Sequence, residues 1–235
     1  TAPAGPARPA PPSAPSGEAA ARTALDRLRT GREVFPHVRI DPERRLVEID
    51  GSVPIDAHDP ETPEVFLELI ACLPDSREHE SLVVTRAKAS HVHAALLAIG
   101  AEPGRPGGFV PVEGGFRPLA PEGHPVDVRI GYLGPDGEPA EDPAAAWIVN
   151  VETGEPMGEA AWVFAGSRIV ARRGESFYDA DGAGNLVGLT TFGNEVVGFA
   201  EVVSPDSSVD EPRWIARTDR VPEVGAPVVL RLYVP

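Results

Sequence analysis

The sequence predicts a β-rich α+β fold: mainly antiparallel sheets, one short core helix at about residues 90–99, and an extended N-terminal arm. Three observations carry this. Short apolar runs bounded by Gly, Pro, Asp and Ser recur from Val38 to Val234. Only one segment beyond the N-terminal region combines helical spacing with both a start and a stop signal. Residues 1–16 hold six Pro and five Ala, a composition that favours an extended tether and cannot bury a core.

Taken in order, the arm runs into an Ala-rich segment from Gly17 to Thr30, where Leu25 and Leu28 share one side of a short helix. Gly31 is its natural stop. Val38–Ile40 and Leu46–Ile49 read as a hairpin continuing to Val53 and Ile55. Val65 to Cys72 alternates, with Val65, Leu67, Leu69 and Ala71 on one face, and Leu82–Thr85 is its expected partner across a short polar loop. Ser90 and Gly100 bracket the core helix, with Val92, Leu96 and Ile99 as its buried stripe. A Gly/Pro-rich stretch from 102 to 123 is either a functional loop or a joint between subdomains. Strands then resume at Val126–Leu133, Ala145–Val151, Ala161–Val170, Ser176–Tyr178, Leu186–Thr191 and Val228–Val234, and Trp147 and Trp162 are expected core aromatics. The expected organisation is an arm and short helix over 1–33 and a β-rich domain over 34–235.

Charge narrows the partners. The 235 residues include 21 basic and 36 acidic side chains, a formal net of −15. Residues 1–33 carry a net +2 and the remainder a net −17, so a weakly basic arm precedes a strongly acidic body. Nucleic acid needs a basic footprint and is set aside as a partner, and anionic membrane surfaces are disfavoured for the same reason. No apolar run approaches the roughly 20 residues of a membrane span. The chain opens on Thr1, which leads us to expect an exported, extracytoplasmic protein, periplasmic or secreted, whose signal segment has been removed; cleavage of an expression tag is the plainer alternative. Cys72 is the single cysteine, so no intrachain disulfide forms and no iron–sulfur cluster can be held.

The densest set of chemically capable side chains lies between Ala71 and Ser81. Cys72, Glu78, His79 and Glu80 gather there, with His93 able to join from the helix, and thiolate plus imidazole suits a transition metal. Equally, Cys72 reads as a small buried hydrophobe beside a polar turn. His91 and His93 are two positions apart on a helix, about 200° of rotation, so they do not form a ligand pair; His93 sits at the edge of the buried face and His91 faces out. Neutral His93 is expected to bond the preceding hairpin. Gly166-Ser167 lacks the pattern of a nucleophile elbow. Asp179 to Asn185 starts like a calcium loop, but its glycine falls at the fourth position, and a β-turn with solvated aspartates is the better reading.

Three stretches, Arg77 to Thr85, Ser90 to Leu97 and Gly100 to Gly104, resemble the YdjY domain, as do Trp162 to Ser167 and Tyr178 to Asp181 further on. The resemblance covers roughly Phe35 to the C-terminus. It implies an exported bacterial protein of a type frequent in planctomycetes, without implying a reaction. A site shared by that family is expected at Cys72, Glu78, His79, Glu80 and His93. With no nucleophile, base and oxyanion donor assembled, the leading expectation is a non-enzymatic binding or structural protein whose arm docks on a neighbouring subunit, giving a protein partner or self-assembly. The alternative is a periplasmic metal-binding or redox-linked protein built on Cys72 and His79.

Overall fold

The computed structural model describes residues 17–61, 64–172 and 174–235. The Pro/Ala-rich arm at 1–16, and with it the expectation of an extended tether, lies outside the described residues. Helix α1 spans Gly17–Leu28. Strands β1 (Arg32–Phe35), β2 (Val38–Asp41), β3 (Leu46–Ser52), β4 (Leu69–Cys72) and β5 (Ser81–Val84) precede helix α2 (Ala89–Ala98). Next come β6 (Pro103–Arg105), β7 (Gly108–Val112), β8 (Gly115–Leu119), β9 (Glu122–Gly123), β10 (Pro125–Leu133) and β11 (Pro139–Pro143). The chain continues through β12 (Ile148–Asn150), β13 (Trp162–Phe164), β14 (Ile169–Arg172), β15 (Glu175–Tyr178) and the short α3 (Asp179–Ala183). It ends with β16 (Asn185–Gly188), β17 (Val197–Phe199), β18 (Trp214–Ala216) and β19 (Pro227–Tyr233). None of the described helices is long and apolar enough to cross a membrane.

The β-rich expectation holds, and the main sheet goes further by closing into a barrel. Its order is β3-β19-β10-β13-β17-β16-β4-β5, and Ser52 of β3 pairs with Val84 of β5 to complete the ring. The hairpin β1–β2 extends β3, and β11 extends β10. Two seams, β4–β5 and β16–β17, are parallel, and the other six are antiparallel. The hairpin expected between β4 and β5 is therefore replaced by a parallel crossover through residues 73–80. All four residues of β4 are buried, the mark of a strand covered on both faces.

The pleat sorts the wall. Val47 and Ile49 of β3, Val128 and Ile130 of β10, and Leu230 and Leu232 of β19 face inward and share one cluster with Val92 and Leu96 of α2. Trp162 and Phe164 belong to it, as does Trp147, which closes a 3-10 turn where a strand had been expected. This core runs unbroken from Val38 to Val234, on both sides of residues 102–123, which form two small ladders, β6–β9 and β7–β8.

The opposite face of β3 presents Glu48 and Asp50, and α1 covers them. The Glu48 carboxylate accepts from the backbone of Thr30 (2.9 Å) and Gly31 (2.7 Å), and from Arg231 Nε (3.1 Å). Arg231 Nη2 donates to the Leu28 carbonyl (2.5 Å), and Arg29 pairs with Asp50. Helix ends leave backbone groups unpaired. Here a side chain on the barrel wall satisfies those just past α1, while Leu28 supplies the apolar anchor.

Candidate functional site

The side chains singled out around Cys72 do not converge. Cys72 is fully buried and its thiol pKa is raised, first by burial. Glu78 turns back on its own loop: Oε1 accepts from Asp75 N (2.6 Å) and Oε2 from Ser76 N (2.9 Å). Those backbone bonds, led by the one from its own amide, lower its pKa. The carboxylate caps the turn in which Asp75 takes φ 60°. His79 is 75% exposed, 3.7 Å from Glu80. Among the described residues no three His, Cys, Asp or Glu side chains are placed to hold a metal ion.

Glu80 instead belongs to a charged triad. Arg77 Nη1 lies 2.8 Å from Glu68 and 3.7 Å from Glu80, and its guanidinium stacks 4.3 Å above the Phe192 ring. Burial, then the neighbouring Glu80 carboxylate, push Glu68 up to about 7, and Arg77 offsets only part of this. Two carboxylates flank one guanidinium, and burial beside Glu80 favours the protonated form of Glu68.

His93 sits elsewhere, within a constellation assembled from four distant segments. The hydrogen bond expected to the preceding hairpin is not made. Nδ1 lies 3.0 Å from the Gly166 carbonyl and 2.8 Å from the Tyr178 hydroxyl, which itself donates to Gly166 O (2.9 Å). The imidazole packs edge-on to Phe164 and Tyr178, at 4.9 and 5.5 Å. Burial lowers the His93 pKa and raises that of Tyr178, so both stay neutral at pH 7. His91, expected to face out, is half-buried and stacks on Phe35 at 4.6 Å.

The segment that meets His93 is held by its backbone. Gly166 has φ +88°, and a Cβ there would lie 2.8 Å from the Pro103 side chain and 3.3 Å from His93 Cε1. Ser167 follows with φ 51°. Two consecutive left-handed residues break the single strand expected from Ala161 to Val170 into β13 and β14. The Ser167 hydroxyl donates to Asn194 O (2.6 Å) and accepts from Ala180 N (3.2 Å), fixing the loop against α3. Nor are the aspartates of 179–185 solvated turn residues. Asp179 pairs with Arg168 (2.7 Å), and Asp181 accepts from Ser90 N (2.9 Å) at the start of α2, where a negative charge is favoured. Gly184, at φ +80°, ends the helical turn.

From this platform the ribbon β14–β15 rises as a two-stranded ladder of its own. Directly paired residues share a face: Ile169 with Tyr178 on one side, Val170 with Phe177 on the other. Each face borders a depression. The first, about 430 Å³, lies between Ile169, Tyr178, His93, Ser90 and Pro103. The second, about 660 Å³, lies between Val170, Phe177, Asp179, Asp181 and Gly182. Ile169 is 67% and Phe177 45% exposed. Sequence reasoning singled out only His93 here. Yet Ser90 to Leu97, Gly100 to Gly104, Trp162 to Ser167 and Tyr178 to Asp181, dispersed along the chain, each send a residue into the first depression.

A family model described as YdjY domain matches residues 38–233. No curated protein matches the chain significantly, and no solved structure does. The matched span takes in the whole barrel, both faces of the ribbon and every residue around His93, and the chain belongs to the YdjY domain family.

Proposed function

We propose that this chain is a non-enzymatic, extracytoplasmic binding and assembly protein, and that the Phe177 face of the ribbon receives the Pro/Ala-rich arm, residues 1–16, of a neighbouring copy. The observation that carries the reading is the half-exposed Phe177 beside Val170, standing over an open depression flanked by Asp179 and Asp181. Proline-rich segments dock on aromatic-lined grooves because little conformational entropy is lost. The sign of charge agrees: residues 1–16 carry Arg8 and no acid, while the chain beyond residue 33 carries a net −17. A head-to-tail contact of this kind links copies in series or in a ring.

A binding role also fits the side chains on hand. In the loop beside His93, the Ser167 hydroxyl is committed to two backbone partners. The extracytoplasmic assignment follows from the exported proteins in which such domains occur, and fractionation of source cells tests it. Native mass spectrometry tests the docking. Full-length chain is expected as a multiple of 24.8 kDa, and both removal of residues 1–16 and Phe177→Asp are expected to give a monomer. An unchanged multiple in both variants would overturn it.

A further inference from the structure

The other face of the ribbon carries a chemistry of its own. Ser90 and His93 are one turn apart on α2, so their side chains point the same way, into the first depression. The Gly166 carbonyl needs donors, and Tyr178 has a single hydroxyl hydrogen to give. Both contacts of His93 Nδ1 are satisfied when the ring proton sits on Nδ1, with Tyr178 donating to Gly166. That tautomer leaves Nε2 as a lone pair with no partner among the described residues. The Ser90 amide is taken by Asp181, while its hydroxyl makes no hydrogen bond among the described residues. An acceptor and a hydroxyl donor thus stand about 5–6 Å apart at the Cβ level. Facing them are Pro103, Ala165 and Ile169, all apolar.

Anions find no support there. Arg168 is already neutralised by Asp179 at 2.7 Å, and the body around the site is acidic. An uncharged planar group with an N–H on one edge and a C=O on the opposite edge bridges both free atoms and leaves an alkyl substituent for the apolar wall. We infer that this cavity is a binding site for a secondary amide, whose N–H donates to His93 Nε2 and whose carbonyl accepts from Ser90 Oγ–H. Such a group occurs in an acetamido sugar and in a peptide bond. The site lies across the ribbon from the one assigned to the arm and does not depend on it.

Imidazole ¹⁵N NMR of the full chain reads this directly. At rest, His93 is expected to show a protonated Nδ1 and a bare Nε2. N-acetylglucosamine and an N-acetylated alanyl-proline amide are the two probes, with glucose and acetate as controls. Saturable movement of the Nε2 signal by either amide, but by neither control, is the expected result, and the stronger probe identifies the source. Ser90→Ala is expected to weaken that probe about five-fold, the loss of one neutral hydrogen bond, with the resting His93 spectrum unchanged. A resting Nε2–H tautomer, no response to either amide, or an equal response to acetate would overturn the assignment. None of these outcomes bears on the oligomer measurement, so the two readings fail separately.

Discussion

At the scale of single residues, the molecule holds neutral side chains where the sequence shows only titratable ones. Glu68 is the clearest case. Its carboxyl is pushed to about 7 in the fold and returns to an ordinary carboxylate value when unfolded. A raised carboxyl favours the protonated folded state, so its stabilisation is complete below the unfolded value and disappears as pH rises through the folded one. Thermal stability is therefore expected to fall between pH 5 and pH 8 by about 5 °C through this group. Glu68→Gln, which keeps a hydrogen-bonding partner for Arg77, is expected to flatten that slope in melts across the same range. An identical slope in the variant would assign the pH dependence to other groups. His93 works in the other direction: its lowered pKa adds stability above its unfolded value, which is lost as pH falls.

At the scale of elements, most of what was legible in the sequence was local. The core helix appears at 89–98 because Val92, Leu96 and Ile99 repeat on one side and Gly100 stops it. Strands β10, β16 and β19 appear within a residue or a few of their apolar runs. What was not legible depends on partners far along the chain. His93 was placed correctly at the edge of a buried face, but its hydrogen bonds come from Gly166 and Tyr178, 73 and 85 residues away. No period or spacing reports such a meeting. Alternation in Val65–Cys72 could not say that β4 would be covered on both sides or that β5 would run parallel to it. The convergence of the four segments on one cavity was written in the sequence only as recognisable stretches, without their proximity.

The attachment of α1 is also an element-scale device. Glu48, 1% exposed, satisfies the backbone just past the helix and holds Arg231 against the Leu28 carbonyl. Removing one partner from a buried charge network typically costs about 3–5 kcal/mol, because the other charge is left without compensation. Glu48→Ala is expected at the lower end, about 3 kcal/mol, since Arg231 keeps Glu141 at 2.5 Å. Denaturant unfolding measures the loss, and brief trypsin treatment should cut at Arg27 or Arg29 in the variant well before it cuts the parent. Equal cleavage of both would mean that apolar contacts alone hold the helix.

At the scale of the whole molecule, one core and a closed wall make the barrel a single cooperative unit. The buried cluster joins residues from Val38 to Val234, so neither half on its own side of 102–123 retains a complete interior. A single unfolding transition is expected by both circular dichroism and tryptophan fluorescence, with Trp147 and Trp162 reporting the same event as the strands. Two separated transitions would divide the chain into subdomains. Closure leaves the ring itself without an end strand, and β1 and β11 remain as edges of the same sheet. The ladders outside the ring, β7–β8 and β14–β15, keep free edges, and exposed Phe116, Ile169 and Phe177 lie on them.

The clamp on α1 has a mechanical meaning as well. A pull on the segment ahead of Gly17 passes through the helix to Leu28, Thr30 and Gly31, where Arg231 and Glu48 receive it. These two residues are paired across β3 and β19, the seam with seven matched positions. Tension transmitted between neighbouring copies would arrive inside the wall's longest zipped joint, with matched pairs on either side, loading several rungs together instead of unpicking them from a loose end.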